Sequence, residues 1–211
     1  MTLSHPLHLK MGRTSDAKEK LMEAAWELIW AGSYGTTSVD HICERADVRK
    51  GSFYHFFESK AELAIAGLES AWQKHLAELD HIFSPQHPPL ERLRKLCEYL
   101  VTDQRECAAK HGRVLGCPVH SLGAEVSTWE VDLEAKIKEA IAKHQRYFES
   151  ALRDAIHDGL VPAQPDAAMR ARILSAYVEG VLLQARLLND INVLDAMADS
   201  VLMIARMSAP A

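Results

Sequence analysis

Long apolar runs are missing from this sequence. None approaches the roughly 18 residues that a membrane span requires. The first twelve residues, MTLSHPLHLKMG, carry Pro6 and two histidines but no continuous apolar stretch. Neither a spanning helix nor a signal peptide is expected, which points to a cytoplasmic address. Cysteine is scarce: Cys43, Cys97, Cys107 and Cys117 are the full complement of four. At that density, and without an export signal, they read as thiols rather than as a disulfide framework. An excess of positive charge is also lacking. Lys and Arg number 24 against 29 Asp and Glu, a net charge of -5. The molecule as a whole is therefore no polybasic nucleic-acid coat, and any DNA contact has to come from a local patch. The sequence holds no phosphate-binding loop, dinucleotide glycine fingerprint, HExxH metal helix or serine nucleophile elbow. No enzymatic function is expected. Alternating strand patterns and internal repeats are absent as well.

What is there is helical. The 211 residues are 48% hydrophobic and 25% charged, a globular composition of one or two domains. Leu21, Ala24, Ala25, Leu28 and Ile29 share one helical face, with Ser15 as the cap and Gly32 and Gly35 as the stop. A short helix opens at Thr37 or Ser38, with Val39, Ile42, Cys43 and Ala46 as its apolar stripe. A third runs from about Val48 to Phe56. Ser59 caps a long fourth helix reaching about Phe83, and SPQHPP (Ser84–Pro89) is a turn. Further helices are expected at about 90–110, 119–126, 129–158, 166–189 and 193–207. In the 129–158 helix, Leu133, Ile137, Ile141, Phe148, Leu152 and Ile156 stack mostly four apart, and Gly159 followed by Pro162 ends it. The fold class is all-α, with about nine helices: a small head of three short ones (15–60), preceded by a loose arm (1–14), and a larger helical body (61–211).

The head carries eight Lys and Arg against eight Asp and Glu over residues 1–60, and four against two within 45–60. That is a weak footprint for DNA. The pattern is stronger than the charge. In ERADVRKGSFYHFF two short helices meet at a tight turn, as in a helix-turn-helix. The second presents Arg49, Lys50, Ser52, Tyr54 and His55, while Val48, Phe53 and Phe57 can face inward as an aromatic core. Gly51 permits close approach of a phosphate backbone. Arg and Lys suit guanine acceptors, Ser suits any base, and Phe56 can touch a thymine methyl. Tyr54 and Lys60 are placed for phosphate, and Thr37 and Ser38 would add N–H groups from a helix start.

The run TTSVDHICERADVRKGSFYHFFESKAEL resembles the DNA-binding head of TetR-family transcriptional repressors, with KGSFYHFFESK (Lys50–Lys60) its most specific part. The resemblance implies a homodimer on a palindromic operator in double-stranded DNA. It also implies release by a small-molecule or chemical signal read in an effector-sensing and dimerisation domain at 61–211.

In the body, Trp72, Leu96, Tyr99, Trp129, Tyr147 and Tyr177 are candidate effector contacts, each more readily read as core, and His120 is a further effector candidate beside Cys117. HGRVLGCPVHSLGAEV (His111–Val126) sets Cys117 between Gly116 and Pro118. Pro favours the first turn of a helix, so Cys117 falls near a helix N-cap, with Lys110, His111 and Arg113 close in sequence. Dipole and cations both favour thiolate there. The segment resembles a branch of the same family with a Gly-Cys pair at this place. That branch includes the repressor of the N-ethylmaleimide reductase operon and acrylate-responsive repressors. The resemblance implies an electrophile or oxidant signal at Cys117, or a small carboxylate. GVLLQARL (Gly180–Leu187) belongs to the same resemblance, with Arg186 where a lysine stands in the electrophile-sensing relative. A guanidinium can stabilise a thiolate or ligand carboxylate but is a poor nucleophile, which argues against an oxidant mechanism with a covalent link. The plainer reading of Cys117 is a small packed hydrophobe, and Cys43 reads as core. Cys97 and Cys107 lie about 15 Å apart along one helix and cannot pair.

Cys107 with His111, and Cys117 with His120, have zinc-type spacings. The spacing is permissive only, and neither a metal nor a cofactor is expected. Ile173, Leu174, Tyr177, Val181, Leu182, Ala185 and Leu188, with Leu194, Met197, Val201 and Ile204, give the last two helices broad apolar faces. These suit a four-helix dimer interface or the monomer's own core. Beside the repressor stand two other readings, a small helical thiol-dependent enzyme and a helical interaction module without DNA contact. Within the repressor reading, a thiol sensor and a sensor of a non-covalent small ligand stand side by side.

Overall fold

A computed structural model describes residues 12–208, with side chains from Asp16 to Ser208. Among the described residues it is all-helical, with nine α-helices, one 3-10 turn and no strand. The helices are α1 (Gly12–Ala31), α2 (Val39–Ala46), α3 (Lys50–Phe56), α4 (Lys60–Ile82), α5 (Pro89–His111), α6 (Pro118–Val126), α7 (Val131–His157), α8 (Ala167–Leu188) and α9 (Met197–Arg206). The arm expected over 1–14 lies outside the described residues except for its last three, which belong to α1. Ser15 is thus inside a helix and not its cap. The chain divides into two compact units, Met1–Ser70 and Ala71–Ala211, with the division inside α4.

In the first unit, the face of α1 that the spacing picks out supplies Leu21, Ala24 and Ala25 to a core completed by Ile42, Cys43, Ala46, Phe53, Phe57 and Leu63. Ser38 caps α2 by accepting the His41 N–H at 3.1 Å, the ordinary task of a serine at this position. Asp47 ends α2 in the left-handed region at φ 52°, its N–H returning to Cys43 and Glu44. Asp tolerates that conformation better than most side chains, and it turns the chain tightly into α3. Ser59 caps α4 through the Glu62 N–H at 3.0 Å, and Glu62 reaches back to the Glu58 N–H at 2.6 Å, a reciprocal cap. Gly67 allows α4 to lie close on α1: a Cβ there would sit 3.3 Å from the Met22 carbonyl oxygen.

In the second unit, Leu79, Leu93, Leu96, Phe148, Leu152, Leu174, Val178, Leu182, Leu194 and Val201 form one core. The 27 residues of α7 span about 40 Å. Arg170 is 1% exposed and donates to the carbonyls of Ala205, Met207, Pro162 and Pro165. It ties the start of α8 to the end of α9 and to the preceding loop. The single helix expected at 193–207 is instead a 3-10 turn (Ile191–Leu194) followed by α9. Asn189 closes α8 at φ 49°, and Asp190 caps the turn through the Asn192 N–H. The break lets both Leu194 and Met197 reach full burial. The apolar stripes split accordingly. Leu174, Leu182, Ala185, Leu194, Met197 and Val201 face the unit's own core, whereas Ile173, Leu183, Leu187, Leu188 and Met203 are exposed.

Candidate nucleic-acid interface and effector site

Seven residues make α3, and only its Phe53 face is fully buried. Arg49, at its N-cap, and Lys50, Gly51, Tyr54 and His55 are exposed, with Ser52 half-buried. Tyr54 is 59% exposed, its ring set edge-on to Phe53 with centroids 5.0 Å apart. A Cβ on Gly51 would meet nothing within 4 Å, so no packing inside the unit calls for glycine there. The Lys50 ammonium pairs with Asp40 at 2.7 Å, which halves the free positive charge of this face. Ser38 is exposed, with its hydroxyl engaged in capping.

Two expected phosphate contacts are placed differently. Thr37 is buried, and its N–H and hydroxyl both donate to the Ser33 carbonyl, at 3.2 and 2.7 Å. It holds the α1–α2 turn. Lys60 donates to the Tyr34 and Thr37 carbonyls at 2.7 and 3.0 Å, with its nitrogen 4.0 Å from the Tyr34 ring centroid. It staples α4 to the same turn. Bare turn carbonyls attract a nearby ammonium, and sequence spacing does not reveal that two of them lie within its reach.

In the second unit, Cys117 is the N-cap of α6 with Pro118 at its first position, as the spacing predicts. The stretch before it is fastened at several points. Gly116 exchanges two hydrogen bonds with the buried Gln104 side chain, at 2.7 and 3.3 Å. The Val114 N–H donates to the Asn189 side chain at 3.0 Å. Arg186 donates to the Leu115 carbonyl at 2.8 Å and to the Ser121 hydroxyl at 3.0 Å. Gly116 has φ 65°, and a Cβ there would lie 3.0 Å from the Leu182 carbonyl oxygen. Arg186 thus clamps this backbone and, through Ser121, the first turn of α6.

Cys117 Sγ lies 3.4 Å from His120 Nδ1, and the same nitrogen lies 3.1 Å from Glu179 Oε2. The helix start and the nearby cations do not make a thiolate here. Burial first, and the Glu179 carboxylate second, push the thiol well above its ordinary value. Desolvation penalises the charged form and outweighs a helix terminus. Glu179, which the sequence reading missed, stands alone among apolar neighbours in AYVEGVLL. A lone carboxylate in an apolar helical stretch is the one signal that marks it.

A second polar chain lies in the same unit. Tyr99 Oη is 2.9 Å from His75 Nδ1, and His75 Nε2 is 3.3 Å from His144 Nε2. The Trp72 ring packs edge-on against His144. Burial, then the neighbouring His75, bring the His144 imidazole down to about 4, while the Glu179 charge acts the other way. Burial raises the Tyr99 hydroxyl to about 12. Of the expected effector residues, Cys117 and His120 are brought together and Tyr99 joins the histidine chain. Trp129 is not part of either group: it is 54% exposed and donates its indole N–H to the Glu125 carbonyl. Tyr177 is half-buried against the core, Leu96 is core, and Tyr147 donates to Asp80. All four cysteines are free thiols, and Cys107 with His111 does not join the group at Cys117.

The family described as "Bacterial regulatory proteins, tetR family" matches residues 21–66, and "Tetracyclin repressor-like, C-terminal domain" matches residues 89–201. The chain is similar to "Transcriptional regulator AcuR" of Cereibacter sphaeroides, 32% identical over 81% of this chain and 77% of that one. It is also similar to "HTH-type transcriptional repressor NemR" of Escherichia coli, 28% identical over 82% of this chain and 85% of that one. The crystal structure of a regulatory protein TetR from Rhodobacter sphaeroides superposes with a TM-score of 0.79 at 29% identity, covering 89% of this chain and 98% of that one. The chain belongs to the TetR family of bacterial transcriptional regulators.

Proposed function

We propose that this regulator is a repressor. It holds a palindromic operator as a homodimer through a DNA-binding domain at 15–60, and a signal received in the domain at 61–211 releases it. The observation that carries the reading is the outer face of α3, where Arg49, Lys50, Tyr54 and His55 are exposed around a Gly51 that nothing in the unit crowds. Glycine in an exposed helix costs stability, and a face reserved for a duplex accounts for it. Arg49 and Lys50 read guanine edges, Ser52 and His55 support base contact, and Tyr54 takes a phosphate. Ser38 stands at the start of α2 for a second phosphate. The exposed apolar residues of α8 and α9 support self-association by a two-fold operation. Such a dimer sets two copies of α3 one helical turn of DNA apart, or a multiple of it. The family and the relative named as a repressor support the sign of the regulation.

The signal is read at Cys117. Sγ adds to the β-carbon of an alkene conjugated to a carbonyl: the Sγ–C bond forms, the Sγ–H and C=C π bonds break, and the thiol proton passes by way of His120 or Glu179 to the α-carbon. A signal weakens operator binding only as far as it prefers the released state. The burial that keeps the thiol protonated favours a second reading, a non-covalent small ligand held by the polar groups at His120, Glu179 and His144. Fluorescence anisotropy on the duplex upstream of the chain's own gene tests the core of the proposal. The wild type binds it specifically, Arg49→Ala weakens binding about tenfold or more, and circular dichroism is unchanged. Equal affinity for scrambled DNA overturns it. Cys117→Ser binds DNA normally and loses its response to N-ethylmaleimide under the thiol reading. A normal response moves the signal to the second reading.

A further inference from the structure

We propose that Cys117, His120 and Glu179 form a binding site for a borderline-soft divalent cation of the zinc class. The inference goes beyond the repressor reading and does not rest on it. The three donor atoms all lie within 4.8 Å of one another. Zinc holds thiolate sulfur at about 2.3 Å and imidazole nitrogen or carboxylate oxygen at about 2.0–2.1 Å, tetrahedrally. The edges of that tetrahedron are about 3.6 Å from sulfur to nitrogen and about 3.3 Å from nitrogen to oxygen. The separations here are 3.4 Å from Sγ to Nδ1 and 3.1 Å from Nδ1 to Oε2. These two edges lie within a few tenths of an ångström of the tetrahedral values, and the third, Sγ to Oε2, is within 4.8 Å.

A second observation points the same way. Glu179 Oε2 is buried, and its near neighbours are the other two candidate ligands, His120 Nδ1 at 3.1 Å and the Cys117 thiol, with no hydrogen bond of full geometry to the oxygen. A buried carboxylate held only by two further donor groups of the same kind is the setting a cation at the centre of the three would complete. The donors also come from two elements. Cys117 and His120 stand in the first turn of α6 and Glu179 in the middle of α8, so the ion bridges helices far apart in sequence. His120 is 37% exposed and gives an entry path. On binding, the Sγ–H bond breaks, an Sγ–metal bond forms and the proton leaves to solvent. Three protein ligands leave a fourth position for water or a small ligand.

The test uses the untagged, full-length chain stripped by chelator and equilibrated with Zn²⁺ alone, then with Co²⁺ alone. The expected result is one zinc retained per chain after gel filtration. Cys117→Ser and Glu179→Gln each weaken binding about tenfold or more, and His157→Gln, an exposed histidine elsewhere, leaves it unchanged. Cobalt gives a thiolate-to-metal band in the near ultraviolet with the wild type and none with Cys117→Ser. The wild-type spectrum stands by itself if a variant fails to fold. Zinc retained equally by Cys117→Ser, a cobalt spectrum without the thiolate band, or no retention by the wild type overturns the site. DNA affinity enters none of these readouts, so failure here leaves the repressor reading as it was.

Discussion

Lys60 grips the α1–α2 turn at Tyr34, donating to that residue's own carbonyl at 2.7 Å while its ammonium stands 4.0 Å from the ring of the same tyrosine. One cation thereby satisfies a backbone acceptor and uses an aromatic face, and its second bond goes to Thr37. Lys60→Met keeps the stem and removes all three contacts. A loss of about 1–3 kcal/mol in the stability of the first unit is expected, read from urea denaturation followed by circular dichroism. Lost operator affinity with unchanged stability would return Lys60 to the phosphate role that its spacing suggests.

Gly51→Ala separates folding from DNA contact. The added methyl meets nothing, so α3 gains a few tenths to about 1 kcal/mol of helix propensity. The same methyl stands on the face assigned to the duplex, and operator affinity is expected to fall. Opposite signs in thermal denaturation and anisotropy are the signature. A rise in both would remove Gly51 from the interface.

Gly116→Ala is expected to destabilise the second unit by about 1–3 kcal/mol. Its φ of 65° disfavours a side chain, and the new Cβ would press on the Leu182 carbonyl at 3.0 Å. Gly112→Ala is the control, having a similar φ of 71° but open space around the added carbon. The difference between the two variants in guanidinium unfolding isolates the contact from the backbone strain.

Leu183 and Leu187 are 50% and 74% exposed on α8. If they meet a second copy, Leu183→Glu with Leu187→Glu yields monomers by light scattering and weakens operator binding steeply, since each half-site is then held singly. Retention of the dimer mass by the double variant would place the interface elsewhere.

The helices were readable because apolar spacing records burial directly. Leu21, Ala24 and Ala25 on α1, or Leu133 and Phe148 on α7, face inward as their period demands. Caps were readable where a hydroxyl does local work, as with Ser38 and Ser59. The break before α9 was not, because Leu194 and Met197 fit a continuous helical stripe as well as a 3-10 turn followed by a new helix. Side chains that bind distant backbone were the least legible. Thr37, Lys60 and Arg186 look like solvent-seeking or ligand-seeking groups in the sequence, and each is held by a carbonyl that only the fold brings near. The thiol group was half legible. The Cys117–His120 spacing shows on paper, but the burial that first reverses the expected acidity of the cysteine, and the Glu179 charge that adds to it from 59 residues beyond His120, do not.

The stretch from Val114 to Ser121 is moored to α5 by Gln104 and to the far end of α8 by Asn189 and Arg186. A loop with slack would absorb an insult at residue 117 by rearranging itself. This one is fastened by three side chains, so an adduct or an ion at residue 117 would load two long helices instead of being taken up within the loop.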